Sequence, residues 1–107
     1  MASKANLIID QGSTFSVIIN LDDSNGDDLV VTGYTSRSQM RKHYTSSNSV
    51  TITTALEDGL LTLSLTDSQT ANIVAGRYVY DVELIDSSNN VTRIIEGIIT
   101  VTPEVTR

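Results

Sequence analysis

The sequence predicts an all-β fold, and composition, turn spacing and residue alternation each point to it. Ile, Val and Thr number 11, 10 and 14 among the 107 residues, about a third of the chain. Their branched Cβ atoms favour a pleated strand over a helix, and Ala, the strongest helix former, occurs only 5 times. Turn residues recur about every ten positions, a spacing typical of sandwiches and barrels. We therefore expect a β-sandwich, with an open barrel as the competing architecture.

Apolar residues at every second position place one face of a strand in the core, and this alternation marks most of the expected strands. In the segment 34–44, Ser36, Ser38 and Met40 are placed inward and the long polar side chains between them outward. About seven strands are expected. The segments with strand patterning are, in chain order, residues 5–10, 15–21, 29–31, 34–44, 50–54, 61–65, 78–84 and 91–101.

Turn residues separate these strands. Asn25-Gly26 is the strongest local turn signal, and Gly33 breaks the brief apolar stretch that precedes it. The segment 57–59, Glu-Asp-Gly, connects two strands that we expect to form a hairpin. Gly97 indicates a bulge or a close backbone approach within the last strand, and Pro103 ends that strand because proline cannot extend a ladder.

One short helical turn is expected between segments 61–65 and 78–84. The segment 66–69, Thr-Asp-Ser-Gln, matches a capping box, which predicts a helical turn through Ile73. A helical turn followed by Gly-x-Tyr and then a strand is typical of the corner of an immunoglobulin-like sandwich, with Tyr78 as the corner tyrosine bonded to nearby backbone. The predicted fold is therefore an immunoglobulin-like antiparallel β-sandwich of about seven strands with one short helical turn.

Length and charge restrict the classes of function. A chain of 107 residues suffices for one domain, residues 1–107, that buries a core without cross-links. It contains no Cys, which excludes a disulfide framework, a thiolate nucleophile and a Cys-ligated zinc. The net charge of −6 should repel nucleic acid and anionic lipid, and no apolar run approaches the roughly 20 residues of a membrane span. The N-terminus lacks the apolar stretch of a signal peptide. We expect no cofactor, no nucleic-acid partner and no membrane partner.

Two features could suggest metal binding or catalysis. The acidic loop Asp22–Asp28 offers oxygen ligands for calcium, but its glycine is misplaced for an EF-hand and we favour a solvated hairpin tip. His43 is the only histidine, so one chain cannot build a multi-His metal site, and no Gly-x-Ser-x-Gly motif accompanies it. We therefore expect a surface histidine and no metal site.

A pair of carboxylates is the remaining catalytic candidate. Asp81 and Glu83 share one face of a strand, about 7 Å apart at the rise of a β-strand, a spacing that a glycosidase could use. A flat polar face without aromatic sugar platforms is a poor place for that reaction. We expect these carboxylates to form cross-strand ion pairs instead. The candidate partners are Arg37, Arg41, Arg77 and Arg93. No catalytic residue is predicted.

The sequence also suggests a protein-binding surface. Arg37, Gln39, Arg41 and Lys42 form a small basic patch that would suit the acidic surface of a partner protein. Several branched or long apolar side chains fall at positions that should face outward, which indicates cover by a loop or by another subunit. These residues are Ile18, Leu60, Val79, Ile94 and Ile98. We expect the contact on segments 77–85 and 91–101 together with the terminal tails.

The segment from Gln11 to Lys42, QGSTFSVIINLDDSNGDDLVVTGYTSRSQMRK, has a Gly-led strand, a Gly turn, a Thr-Gly-Tyr segment and a strand ending in Arg. This pattern resembles the immunoglobulin-like domains of tailed-phage virion proteins, including the N-terminal domain of baseplate upper proteins. The strings AGRYVYDVELID and GIITVTPEVTR are similar to the last two strands of that family, as seen in small structural proteins of cyanobacterial phages. The matching residues in the first segment are Gly12, Phe15, Gly26, Thr32, Gly33, Tyr34 and Arg41.

The resemblance covers nearly the whole chain and implies a non-enzymatic structural component of a phage particle, made in the host cytoplasm. Its partners would be other virion proteins or further copies of this chain, at the tail or baseplate or as a decoration on the capsid. Two alternatives stay open. A receptor- or glycan-binding module would need aromatic groups on loops, where only Tyr34 and Tyr44 lie near loop ends. The shortage of His and Cys weighs against a hydrolase.

Overall fold

Side chains that alternate inward and outward along the strands build two facing sheets around one shared core. The computed structural model of the chain describes residues 3–21, 26, 30–31 and 33–105. The predicted all-β fold class with one short helix is confirmed. The elements are, in chain order, β1 (Ser3–Lys4), β2 (Leu7–Asp10), β3 (Phe15–Asn20), β4 (Thr35–Arg41), β5 (Val50–Glu57), β6 (Leu60–Leu65), α1 (Asp67–Ala71), β7 (Gly76–Ile85) and β8 (Val91–Thr102).

The strands form two sheets that share β5. Sheet A contains β4, β7 and β8 in antiparallel pairs, with β1 and β2 along the other edge of β8. Sheet B contains β5, β6 and β3, also antiparallel. Residues 50–52 of β5 pair with β4, and residues 53–57 pair with β6. The sandwich is therefore closed on the side where β5 passes between the sheets, and among the described strands β2 and β3 form free edges on the other side.

The first strand differs from its prediction in two respects. Segment 5–10 was expected as one strand, but β1 and β2 are interrupted at Ala5 and Asn6. Both pieces pair parallel to β8, which the sequence did not indicate. The predicted close backbone approach at Gly97 is observed at this interruption, because a Cβ atom on Gly97 would lie 2.1 Å from the Ala5 carbonyl oxygen. A residue without a side chain is therefore required at Gly97, where the interruption between β1 and β2 lies against β8.

The bulge of β8 lies at Ile94. Val82 pairs with Ile95 and Glu83 pairs with Arg93, so Ile94 has no partner on β7. An extra residue in one strand changes the direction of its side chain, and Ile94 packs, half-buried, against the core. The prediction that Ile94 points outward is therefore wrong.

Inward side chains from both sheets form the core. Ser38 and Met40 are buried as the alternation of β4 predicts, and Ser38 Oγ donates a 2.7 Å hydrogen bond to the Asp81 carbonyl. Among the described residues, the buried side-chain nitrogen and oxygen atoms all have hydrogen-bond partners. The hydrophobic residues with the lowest exposure are Ile9, Met40, Ile52, Leu61, Leu63, Leu65, Val82, Ile99 and Val101.

The predicted capping box and tyrosine corner are both observed. The Gln69 N–H donates to Thr66 Oγ1 at 3.2 Å, and the Thr66 N–H donates to Gln69 Oε1 at 2.8 Å, which satisfies free N–H groups at the start of α1. The Tyr78 hydroxyl donates a 2.6 Å hydrogen bond to the Val74 carbonyl. In the part of the chain that the structure describes, no helix has the length and hydrophobicity needed to cross a bilayer.

The loops before β4 are described only in part. Gly26 and Gly33 have positive φ angles of 82° and 81°, as expected of the turn residues predicted there. Residues 30 and 31 do not form a strand, so the strand expected over 29–31 is not observed in its described positions. The calcium ligands considered in Asp22–Asp28 lie outside the described residues.

Candidate docking face on sheet A

The outer face of sheet A carries a row of apolar side chains that crosses three strands. Val79 of β7 pairs with Ile98 of β8, and both point away from the core because Tyr80 and Ile99 point into it. On β2, Ile8 also points outward beside β8. The exposed fractions are 67% for Ile8 and 41% for Ile98. We call Ile8, Ile98 and Val79 the apolar strip.

A shallow depression, lined mainly by polar and charged side chains, lies between the apolar strip and β4. It has a volume of about 290 Å³, and its walls include Val79, Arg41 and Tyr44. Tyr44 follows β4 and is 74% exposed, so its ring extends the apolar surface beyond the edge of the strip. The Arg41 guanidinium is held in place by a bond to the Ser46 carbonyl and by a 3.0 Å bond to Gln39 Oε1.

Charged side chains occupy the other half of the same face. Arg37 Nε lies 2.6 Å from Glu83 Oε1 on the neighbouring strand. Arg93 lies 3.3 Å from Asp81 and 3.4 Å from Glu96. The cross-strand pairing expected for Asp81 and Glu83 is thus observed. Each such exposed ion pair contributes at most about 1 kcal/mol to the free energy of unfolding. These pairs therefore balance the surface charge but add little to the stability of the fold.

The predicted basic patch is not observed as a patch of positive charge. Arg37 is paired with Glu83, and Lys42 lies away from the outer face of sheet A, with its Nζ 5.1 Å from the ring centroid of Tyr78. Arg41 and Gln39 do lie on the outer face, but beside Asp81. Carboxylates of β7, which lie at least 40 residues from these arginines in the sequence, are their neighbours across the strands and balance their positive charge.

The environment of Asp81 raises the pKa of its carboxyl group. Partial burial is the largest cause, and the negative charge of Glu83 adds to it, whereas the nearby Arg93 guanidinium opposes it. Asp81 and Glu83 lie on an open sheet face in ion pairs with arginines. That geometry is typical of a solvated charge ladder. His43 is exposed in the loop after β4, where its backbone N–H donates to Ser46 Oγ at 3.0 Å.

The outward apolar residues singled out in the sequence do not form one surface. Val79 and Ile98 are adjacent on sheet A, but Ile18 is 63% exposed on the outer face of sheet B. Leu60 is half-buried at the start of β6. Sequence reasoning missed Ile8 and considered Tyr44 only for glycan binding, although the inward position of Ile9 in the alternating segment was a usable signal for Ile8. Within the described residues, no group of three His, Asp or Glu side chains is arranged to hold a metal ion.

Comparison with known proteins identifies the fold class. No protein-family model and no curated protein sequence matches this chain significantly. Solved structures do match, and they show that the chain is an immunoglobulin-like β-sandwich, as predicted. The Lin-41 filamin domain superposes with a TM-score of 0.50 at 16% identity, over 89% of this chain and 82% of that one.

Two larger proteins contain a domain of the same shape. Red sea bream transglutaminase superposes with a TM-score of 0.63 at 14% identity, over 90% of this chain and 15% of the transglutaminase chain. An internalin-like protein of Listeria monocytogenes superposes with a TM-score of 0.53 at 20% identity, over 94% of this chain and 28% of that one. None of these three is named as a virion protein. The resemblance to phage structural domains therefore stays a prediction.

Proposed function

We propose that this chain is a non-enzymatic structural module of a tailed-phage particle, which docks on neighbouring virion proteins through the outer face of sheet A. The single observation that carries the docking surface is the outward pair of half-buried Val79 and exposed Ile98, within the longest strand pairing in the fold. The virion setting comes from the sequence resemblance. Tail or baseplate and capsid surface are both compatible with this surface.

The composition of the face supports a protein partner. Burial of apolar side chains supplies the favourable term in most protein association, and Ile8, Ile98 and Val79 offer it on one surface. Arg37 and Arg93 on the same face already have carboxylate partners, so a protein that covers these two arginines does not leave them as unpaired charges. The strands β7 and β8, which carry Val79 and Ile98, are paired on both sides, and this limits the conformational entropy that docking removes. A stable contact would bury about 1,200–2,000 Å² in total.

The test is a charge placed in the apolar strip. Ile98→Asp should give a folded protein, because Ile98 points outward, that no longer incorporates into particles. Val74→Asp is the matched control, since Val74 is also exposed but lies at the tyrosine corner, away from the strip. Mass spectrometry of purified particles measures the copy number of each variant.

Each outcome of this test has a definite meaning. An unchanged copy number for Ile98→Asp would reject the proposed face, and particles without the wild-type chain would reject the virion role. A wild-type copy number that follows the capsid lattice would place the module on the shell. One that follows the rotational symmetry of the tail would place it on the tail or baseplate.

A glycan-binding module is the second candidate, because one depression could accommodate a sugar. It has a volume of about 630 Å³ and lies beside Tyr78, with Lys42, Asn48 and Asn72 in its wall. The exposed rings of Tyr34 and Tyr44 lie at opposite ends of β4, however, and cannot form a common platform. A glycan array hit that Asn48→Ala abolishes and Ile98→Asp retains would favour this candidate over docking.

A further inference from the structure

β3 forms a free edge of sheet B without the features that commonly protect a sheet edge. Among the described strands it pairs with β6 alone, in an unbroken register from Phe15 opposite Leu65 to Asn20 opposite Leu60. Natural edge strands are often interrupted by a bulge or a proline, or carry a charge, and FSVIIN has none of these. The other free edge, by contrast, consists of the two short strands β1 and β2.

The unpaired backbone groups of β3 can be assigned from its register. The Leu21 N–H donates a 2.9 Å hydrogen bond to the Gly59 carbonyl, at the point where β3 leaves β6. In an antiparallel pair, hydrogen-bonded residues alternate with residues whose N–H and C=O groups point to the opposite side. Ser16, Ile18 and Asn20 therefore direct their backbone donors and acceptors towards the open side of β3.

A two-walled groove lies next to the first of these groups, at Ser16. It has a volume of about 420 Å³ and runs between β3 and β2, the free edge of sheet A. Leu7 of β2 and Phe15 and Val17 of β3 contribute apolar walls, and all three are half-buried against the core. Asp10 is the only charged side chain in the lining. The groove thus has apolar side chains on both β2 and β3, polar side chains between them, and unpaired backbone groups at Ser16.

We infer that this groove binds a single extended segment of a partner protein, which adds to sheet B as a new edge strand beside β3. Backbone bonds to Ser16, Ile18 and Asn20 would give affinity, and alternate apolar side chains of the segment would fill the space against Leu7 and Val17. Over the six residues of β3 the segment would extend roughly 20 Å. This surface shares Ile8 with the apolar strip on sheet A but neither Val79 nor Ile98, and it does not depend on the virion assignment.

The geometry and charge of the groove select this occupant. β2 stands across the groove from β3, whose lining residues are Phe15, Ser16 and Val17. The net charge of −6 and the single Asp10 favour a neutral or basic segment with alternating apolar residues.

A defined peptide tests the inference. The probe is Lys-Thr-Val-Thr-Ile-Thr-Val-Thr-Lys, and amide hydrogen exchange of the whole chain is followed by NMR. In the free protein the amides of Ser16, Ile18 and Asn20 should exchange fast and those of Val17 and Ile19 slowly. At a peptide concentration about ten times Kd, exchange at Ser16, Ile18 and Asn20 should slow by about tenfold.

Two controls separate strand addition from unspecific contact. The same peptide with its Ile and the following Thr N-methylated should give no protection, because one methyl group faces β3 in either register. The variant Ile18→Pro removes an N–H that the β6 ladder does not use, so it should keep the fold and lose the peptide effect. Ile98→Asp should bind the probe as the wild type does, which keeps this result independent of the face on sheet A.

Three outcomes would overturn the inference. The first is unchanged exchange at Ser16, Ile18 and Asn20 up to millimolar peptide. The second is equal protection by the N-methylated peptide. This comparison uses the wild-type protein, so it remains valid if Ile18→Pro does not fold. The third is protection that rises with protein concentration alone, which would mean that a second copy of the chain covers the edge.

Discussion

The phenol oxygen of Tyr80 lies 2.6 Å from the carbonyl oxygen of Ala5 and donates a hydrogen bond to it. Tyr80 is paired with Gly97 on β8, and the absence of a side chain at Gly97 lets the Tyr80 ring reach past β8 to the first strand. Tyr80 is only 3% exposed, and burial raises its pKa to about 12. One buried hydroxyl thus ties β7 to the interruption between β1 and β2.

Removal of that hydroxyl should destabilise the fold. Tyr80→Phe keeps the ring and leaves the buried Ala5 carbonyl without this donor, so the free energy of unfolding should fall by about 1–2 kcal/mol. Urea denaturation at neutral pH measures the change. Thr62→Ala, on the outer face of sheet B, serves as a control with a small expected effect. A Tyr80→Phe protein as stable as the wild type would show that water replaces the hydroxyl.

Alkaline stability should also depend on Tyr80. Its pKa is raised from 10.0 to about 12 in the folded state, so between these values the folded protein binds more protons than the unfolded chain. The free energy of unfolding should therefore fall as the pH rises from 10 to 12, and Tyr80→Phe should flatten that fall. Ultraviolet titration should show a late tyrosinate phase in the wild type that the variant lacks. A single transition near pH 10 for all tyrosines would contradict the assignment.

The contact between Gly97 and Ala5 predicts a severe effect of a small substitution. A Cβ atom at Gly97 would lie 2.1 Å from the Ala5 oxygen, which is backbone and cannot rotate away. Gly97→Ala should therefore displace the first strand and lower the free energy of unfolding by about 1–3 kcal/mol. Ile98→Ala, at the adjacent outward position, is the control. Equal melting temperatures for the two variants would mean that the first strand does not pack against β8 in solution.

The turn between β7 and β8 should depend on an ionised Asp86. Its carboxylate accepts bonds from the backbone N–H groups of Ser88 at 2.9 Å and Asn90 at 2.8 Å. The bond from the Asn90 backbone is the largest cause that lowers the pKa of Asp86 below 3.8. A lowered pKa contributes stability above the value in the unfolded chain, and that stability is lost as the pH falls through the folded value.

Asp86→Asn should therefore lower the melting temperature at neutral pH. The difference from the wild type should narrow as the pH falls through the pKa of Asp86 in the folded protein. NMR titration of the side-chain carboxyl gives that pKa directly. Ser87→Ala, exposed in the same turn, should change neither quantity. A melting-temperature difference that is constant with pH would show that the charge of Asp86 is not involved.

The elements that the sequence predicted well are those whose signals are local. The alternation in β4, the capping box at Thr66 and the Gly-x-Tyr corner at Tyr78 each depend on residues within a few positions of one another. A residue pattern of this kind determines which face of a strand is buried and where a helix begins.

What the sequence could not supply depends on distant partners. Ile94-Ile95 and Ile98-Ile99 look alike as dipeptides, yet the bulge turns both residues of the first pair inward, whereas Ile98 points outward. The location of Ile18 on the sheet opposite Ile98, and the neutralisation of Arg37 by Glu83, likewise follow from strand order. Pairings between strands far apart in the chain carry no local signal.

The pairing of β2 with β8 joins residues 7–10 to residues 99–102. Nascent chains leave the ribosome from the N-terminus, so Leu7 and Ile9 emerge long before the strand that shelters them. β2 cannot pair with β8 until β8 has left the ribosomal exit tunnel. Because contacts between residues far apart in the chain form slowly, this pairing should limit the rate of folding. Synthesis of β8 is thus the step that allows this sheet edge to form. A chain stalled before that step would leave the apolar side chains of β2 exposed to aggregation and its backbone exposed to proteases.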